Sequence, residues 1–334
     1  MSKSYTKSRK KNVSLASLQY IENIFGSIVC GLLHLPAQLI AKPQNMNPLD
    51  VRKVLIIKFF GIGSLVLAEP FFRQTRKLFP NAQIHLLTLN SNRDVMTLIG
   101  GVDHVHFVNL GAHIFQAIGA FVGCVVNVFS KRFEVVLDME FYTRASAVVS
   151  LASLAPVRIG YHAQGIYRGS IQSHRVPFNS YWHVSRNFLS LLEPFGYRVG
   201  TVPAVPVLDL PQAPLAATQK FVESLNGEAA AGRFIVINVN AGELAFERRW
   251  YPDRFAALAA HLSIKYSLPC VFIGSPGERD YVEQVVQGVR AQGGLAHNAA
   301  GVLGLPAMAQ VCAKSLLVIS NDSGPLHVAA ATGT

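Results

Sequence analysis

The chain twice repeats one pattern: short unbroken runs of Val, Ile and Leu, each followed by a longer stretch with helical spacing. In the first half the runs are Val54–Phe60, Gln83–Leu89, His104–Leu110, Phe133–Met139 and Arg158–Tyr161. Helices are expected at Leu65–Leu78, Arg144–Leu154 and His183–Leu192. In the second half the runs are Phe234–Asn240, Cys270–Ser275 and Leu316–Asn321, with helices over Pro252–Tyr266, Glu278–Gln292 and Pro306–Ala313. A strand apolar at every position, not at every second one, is covered on both faces, as in a parallel sheet. Pro203, Pro206, Pro211 and Pro214 space out a stretch that reads as an extended linker. The expectation is an α/β chain with two doubly wound domains, residues 46–202 and 203–334, facing each other over a cleft. Ligands bind such sheets at the carboxyl ends of the strands.

Residues 1–45 stand apart. Lys3, Lys7, Arg9, Lys10 and Lys11 occur with no acid among the first 12 residues. Apolar residues then recur with helical spacing from Leu15 to Leu39, and no charge falls between Ile24 and Ala41. Pro36 and His34 interrupt that run, and a span needs about 20 predominantly apolar residues. The segment reads as an amphipathic helix lying in the headgroup plane behind a basic arm. A signal peptide, a true span, or a helix that packs on the domain are the other readings; no clear cleavage site follows it. The net charge of +11, in a chain with only 15% charged residues, calls for an anionic partner. No nucleic-acid-binding module is visible, which leaves an acidic membrane surface or phosphorylated substrates. Cys30, Cys124, Cys270 and Cys312 have no CxxC spacing and read as reduced core residues of a cytosolic protein.

Three strand ends carry candidate chemistry. Gly61-Ile62-Gly63-Ser64 lets a backbone approach a ligand closely, although Val66 leaves GxGxxG incomplete; an ordinary strand-to-helix turn reads equally well. Asn240-Ala241-Gly242 precedes Arg248-Arg249-Trp250-Tyr251-Pro252, where paired arginines could neutralise a diphosphate. Solvated arginines beside a core tryptophan are the plainer alternative. Asn321-Asp322-Ser323-Gly324-Pro325-Leu326-His327 opens a helix that Ser323 could cap, with free N–H groups for an anion and His327 in the first turn. The bland alternative is a capped helix and nothing more. With no DxD motif (Asp138-Met139-Glu140 is a near miss), no catalytic metal and no cofactor are expected. No GxSxG elbow occurs.

Together these residues resemble glycosyltransferase family 9, the heptosyltransferase family. Asp322-Ser323-Gly324 followed by His327 and Ala330 looks like its D-[ST]-G-x-x-H-x-x-A signature. Arg249-Trp250-Tyr251-Pro252 is similar to its basic-Trp-Pro loop, with Tyr251 extra, and Gly274-Ser275-Pro276-Gly277-Glu278 to its glycine-rich turn. Val136-Leu137-Asp138-Met139-Glu140 with Arg144 resembles its fourth-strand segment. The resemblance implies a GT-B fold of two Rossmann-like domains and an inverting, metal-independent transfer of a heptose-like sugar. The donor is a nucleotide-diphosphate sugar and the acceptor a lipid-linked or polysaccharide glycan, in lipopolysaccharide or cell-surface polysaccharide synthesis. It places Asn240, Arg248, Arg249, Trp250, Glu278, Asp322, Ser323, Gly324 and His327 on the donor side. Gly61, Gly63 and Arg144 fall on the acceptor side.

Two departures matter. The family has Asp as catalytic base where this chain has Ser64, and a serine hydroxyl is no base near neutral pH. Asp138 or Glu140, alternate residues expected on one side of a strand, are the candidates to replace it. The sequence ends at Gly333-Thr334, where the family continues into another strand and a helix. The chain is then either a fragment or a second domain cut short. A cytoplasmic enzyme, peripheral on the inner membrane, is the expectation. A non-catalytic sugar-nucleotide-binding protein and an epimerase on the same fold are its rivals.

Overall fold

A computed structural model describes residues 26–40, 46–110, 114–141, 143–162, 167–168, 170–201, 204–225, 233–241 and 246–334. The basic arm, and most of the segment expected to meet a membrane, lie outside the described residues. Helical residues 26–32 lead into α1 (His34–Ile40). The first sheet is parallel, in the order β3-β2-β1-β4-β5-β6, from β1 (Lys53–Ile57), β2 (Gln83–Leu89), β3 (His104–Val108), β4 (Val135–Asp138), β5 (Val157–His162) and β6 (His174–Pro177). Its connections hold α2 (Ile62–Leu67), α3 (Glu69–Leu78), α4 (Arg93–Met96), α5 (Ile114–Lys131) and α6 (Ala145–Ala152). The second sheet, also parallel, runs β10-β7-β8-β9, from β7 (Ile235–Asn238), β8 (Cys270–Phe272), β9 (Ala296–Asn298) and β10 (Leu317–Ser320). After β6 come α7 (Val184–Ser190) and α8 (Ala216–Ser224), then α9 (Pro252–Tyr266), α10 (Arg279–Ala291), α11 (Leu305–Lys314) and α12 (Gly324–Ala331).

The expected strands and helices are present, most of them shorter by a few residues. The helix expected over Leu65–Leu78 is two helices meeting at Ala68. The chain divides into two compact units, but not into two contiguous domains. Gly61–Phe72 and Asn92–Gly100 cluster with Ala204–Thr334, and the remainder forms the first unit. The proline-spaced stretch is tied down within the second unit: Leu208 N–H donates to Ala331 O and Asp209 N–H to Leu98 O.

In the first unit, Val136 pairs with Leu55 on one side and Arg158 on the other, so these three side chains share one sheet face. Cys124 and Val128 of α5 and Val149 of α6 pack on that face. Arg158 is fully buried there, its charged group resting on carbonyls: Nε donates to Ile171 O at 3.0 Å, NH2 to Ala37 O at 3.0 Å, and NH1 to Ala155 O. Burial pulls its pKa down to about 10. The bond to Ala37 holds α1 on the same face, where Cys30 and Ala37 pack with Ala147, Leu151 and Ile171. The N-terminal helix therefore does pack on the domain, yet its other side stays uncovered. Ile28, Leu32, Leu35 and Leu39 are all more than half exposed. No helix among the described residues is long and apolar enough to cross a membrane. All four cysteines are buried and none forms a disulfide.

His85 on β2 is nearly buried beside His104 and His106 of β3, its Nδ1 2.9 Å from His106 Nε2. Burial first, then the nearby His104, His106, Lys131 and Lys53, push its pKa down to about 4. Folded His85 thus stays neutral where the unfolded chain, titrating near 6.5, takes up a proton. Stability is lost as pH falls from about 6.5 towards 4. A pKa unit is about 1.4 kcal/mol, and partial solvent screening of the cluster trims the total to roughly 1–2 kcal/mol. In urea titrations at pH 7 and pH 4.5, His85→Gln is expected to lose less stability on acidification than the parent. Equal losses would mean that His85 does not carry the effect.

Candidate functional site

In the first sheet the strand order reverses between β1 and β4, and in such a fold the ligand crevice lies outside the strand ends at that point. Two carboxylates mark the end of β4, Asp138 as its last residue and Glu140 just beyond it. The expectation that they share a side is corrected, because the strand stops at Asp138 and its alternation stops with it. Asp138 turns inward and has no exposed surface. Its Oδ1 accepts the Glu140 N–H at 3.1 Å; Oδ2 accepts Ser146 Oγ at 2.9 Å, Gln172 Nε2 at 3.1 Å and Arg168 NH1 at 3.4 Å. Burial drives its pKa up to about 6, against the pull of Arg168 and these hydrogen bonds. Full burial and four donors hold Asp138 as a brace for the segment after β4.

Glu140, also buried, turns instead to the end of β1. Its Oε1 accepts Lys58 Nζ at 3.0 Å, Phe59 N–H at 2.6 Å and Phe60 N–H at 3.1 Å. All three bonds end on one oxygen, and Phe60 is the residue before the Gly61 turn. Arg144, expected to face the acceptor, is buried, with Nε donating to Tyr167 O at 3.0 Å.

Two residues here escaped sequence reasoning. Lys58 is buried at the end of an apolar strand, where a lone charge among Ile and Phe was a usable signal. Arg168 is also buried, and its Nε and NH2 have no partner among the described residues. It stands in a segment with no periodicity to mark it.

In the second unit, Gly61 has φ +92° just before α2, a backbone that favours glycine. Gly63 passes so close to α12 that a Cβ on it would sit 2.5 Å from His327 Cδ2. Gly63 and His327 are therefore neighbours through absence of a side chain. Ser64 lies in the first turn of α2, half-buried.

The end of β10 is the most developed part. Ser323 was expected to cap α12 and does not: it makes no capping hydrogen bond. Its Oγ accepts from Asn238 Nδ2 at 2.7 Å and donates to Asn321 O at 3.2 Å, which orders the turn from behind. The helix start has no side-chain cap, and backbone N–H groups with the macrodipole favour an anion at such a start. Asn321 ties two loops together: Oδ1 accepts Trp250 N–H at 3.1 Å and Nδ2 donates to Val239 O at 3.0 Å. That bond brings the Arg248-Arg249-Trp250 loop to the strand end. Arg248 pairs with Asp322 at 2.8 Å, both more than half exposed. Arg249 NH2 lies 3.7 Å from Glu278 Oε1, its guanidinium over the Tyr281 ring. Trp250 stacks edge-on against Phe255, supporting the loop. Glu278 also forms a capping box with Ser275, and Asn240, buried, donates to Ile273 O at 3.2 Å. Asn240, Arg248, Arg249, Trp250, Glu278, Asp322 and Ser323 thus belong to the segments that follow the strands at one end of the second sheet, and Gly324 and His327 to the first turns of α12, although Gly242 lies outside the described residues. Among the described residues no group of three or more His, Cys, Asp or Glu could hold a metal ion.

The sequence profile of glycosyltransferase family 9 (heptosyltransferase) matches residues 127–334. A curated relative, the lipopolysaccharide core heptosyltransferase OpsX of Haemophilus influenzae, is 27% identical over 216 residues. That match covers 61% of this chain and 56% of the relative, little more than half its length. Among solved structures, a family 9 glycosyl transferase from Veillonella parvula is 21% identical with a TM-score of 0.73, over 87% of this chain and 81% of that one. The E. coli ADP-heptose lps heptosyltransferase II gives 19% and 0.65, over 84% and 82%. An E. coli heptosyltransferase solved with ADP-2-deoxy-2-fluoro heptose gives 16% and 0.62, over 84% and 86%. The fold is the α/β GT-B fold of these heptosyltransferases.

Proposed function

The chain belongs to glycosyltransferase family 9 (heptosyltransferase), and on that premise we propose that it moves a heptose-like sugar from a nucleotide-diphosphate sugar to a lipid-linked glycan. The transfer inverts the anomeric centre, needs no metal, and serves lipopolysaccharide or cell-surface polysaccharide synthesis. The observation that carries this reading is the end of β10, where an uncapped helix start meets a loop with two arginines. A diphosphate is the ligand that suits it: the helix N–H groups take one phosphate and the guanidiniums offset the rest of the charge. Asp322 occupies Arg248 meanwhile and yields it to the more strongly charged ligand.

On the first sheet Glu140 is the base. Oε1 is anchored by three donors and Oε2 takes the acceptor proton as the hydroxyl attacks the anomeric carbon. The nucleoside diphosphate departs into the helix start, which stabilises its charge in the transition state. Ser64 keeps the turn and does no proton transfer.

The deciding assay supplies ADP-heptose with and without a crude lipid acceptor and follows ADP release. Release that requires acceptor supports the transferase. Binding with no release would favour a non-catalytic sugar-nucleotide-binding protein, and sugar turnover without acceptor an epimerase.

The donor seat has its own test. A Cβ on Gly324 meets Ile62 at 3.7 Å and the Gly63 nitrogen at 3.9 Å, ordinary contacts, so Gly324→Val changes the approach to the helix start more than the fold. Removing a charge-assisted contact costs about 1.5–3 kcal/mol, roughly ten- to a hundred-fold in affinity. Arg249→Ala is expected to weaken ADP-heptose binding by that factor in calorimetry, and Gly324→Val by about tenfold. Unchanged affinity in both variants would put the donor elsewhere.

A further inference from the structure

The first unit carries two outward apolar stripes that its own core does not use. On α5, Phe115, Ile118, Val122, Val126 and Phe129 follow helical spacing, and each is more than half exposed. On residues 26–40 the stripe is Ile28, Leu32, Leu35 and Leu39. A surface helix ordinarily turns polar residues outward, and these two helices are apolar on both sides. Both lie on one face of the sheet: α5 packs on Leu55 and Val136, and α1 is held there through Arg158, with α6 between them. The stripes therefore face outward from a single layer. Exposed apolar residues aligned in this way mark an interaction site.

We propose that this layer is a bilayer-docking face, seating α5 and residues 26–40 together among the headgroups of an anionic membrane. Charge selects this occupant over a second copy of the chain. No charged residue interrupts 114–130 or 24–41, and Lys131-Arg132 and Lys42 follow these runs directly. Lys3, Lys7, Arg9, Lys10 and Lys11 precede them in the sequence. Two copies each carrying +11 repel, whereas anionic headgroups attract. Apolar burial then adds to electrostatic attraction, the pair of signals that stable interfacial binding requires. The docking rests on surface chemistry and not on the transferase reading, although it would bring the enzyme to a lipid-linked acceptor.

The full chain is sedimented with phosphatidylglycerol–phosphatidylcholine vesicles and with phosphatidylcholine vesicles alone, containing neither donor nor acceptor. Retention thus reports docking whether or not the protein transfers sugar, and calorimetric ADP-heptose binding is followed separately. The parent is expected on the anionic vesicles, weakly on neutral ones. Val122→Asp with Val126→Asp, and separately Leu32→Asp with Leu39→Asp, should each lower partitioning at least about tenfold at unchanged unfolding midpoint. Val122→Ser with Val126→Ser should show a smaller loss and serves if the aspartates disturb folding. Parent-like retention of both α5 variants overturns the proposal, as does equal binding to neutral vesicles. A parent dimer that the α5 substitutions disperse, with vesicle binding intact, would assign the face to a second copy instead.

Discussion

Glu140→Gln is expected to lower turnover by about 10²–10⁴-fold, the usual range for losing a general base, while ADP-heptose affinity stays as in the parent. The amide still offers an oxygen to Phe59 and Phe60 N–H, so the β1 turn keeps its bonds. What disappears is the group that can hold a proton, together with the charge facing Lys58. A purely structural role for Glu140 would show differently, as a lowered unfolding midpoint and weakened donor binding at near-parent turnover. Ser64→Ala should change little. Ser64→Asp paired with Glu140→Gln is expected to recover part of the rate, since it restores a carboxylate where the family has one. Near-normal turnover in Glu140→Gln alone would end this assignment.

The second large effect is on stability. Arg158→Leu is expected to destabilise the protein by about 3–5 kcal/mol, because three buried carbonyls lose a donor for which leucine offers nothing. A buried charge is ordinarily paired with an acid, yet among the described residues only carbonyl oxygens satisfy this one, and burial has already weakened its hold on the proton. Ala37 O is among the three, so the variant should also loosen α1. Faster amide exchange across 34–40 than elsewhere in the first unit would register this. A loss below about 1 kcal/mol in urea titration would show that water replaces the guanidinium at little cost.

The sequence showed the parallel strands because they are buried on both faces and so read as unbroken Val, Ile and Leu. It hid β6 and β9 because His174–Pro177 and Ala296–Asn298 are short and mixed in character. Helix α5 went unread because apolar residues on every side leave no period to detect. At the site, the Asp322–His327 signature was legible because its residues are consecutive in the chain. The parting of Asp138 from Glu140 was not, because it depends on where β4 ends, and partners such as Gln172 and Arg168 come from distant segments. Ser323 failed as a cap for the same reason: Asn238, 85 residues away, claims its oxygen.

The five passages of the chain between its two units have a consequence for synthesis. Helix α2 leaves the ribosome directly after β1, but the helix it packs against, α12, is made more than 250 residues later. At 5–20 residues per second, that delay is roughly 10–50 s. Throughout it Leu65, Val66, Phe71 and Phe72, which end fully buried, have no finished unit to enter. The nascent first unit must carry this sticky loop unfolded, a natural client for a chaperone. Releasing the chain at residue 203 would make that transient exposure permanent.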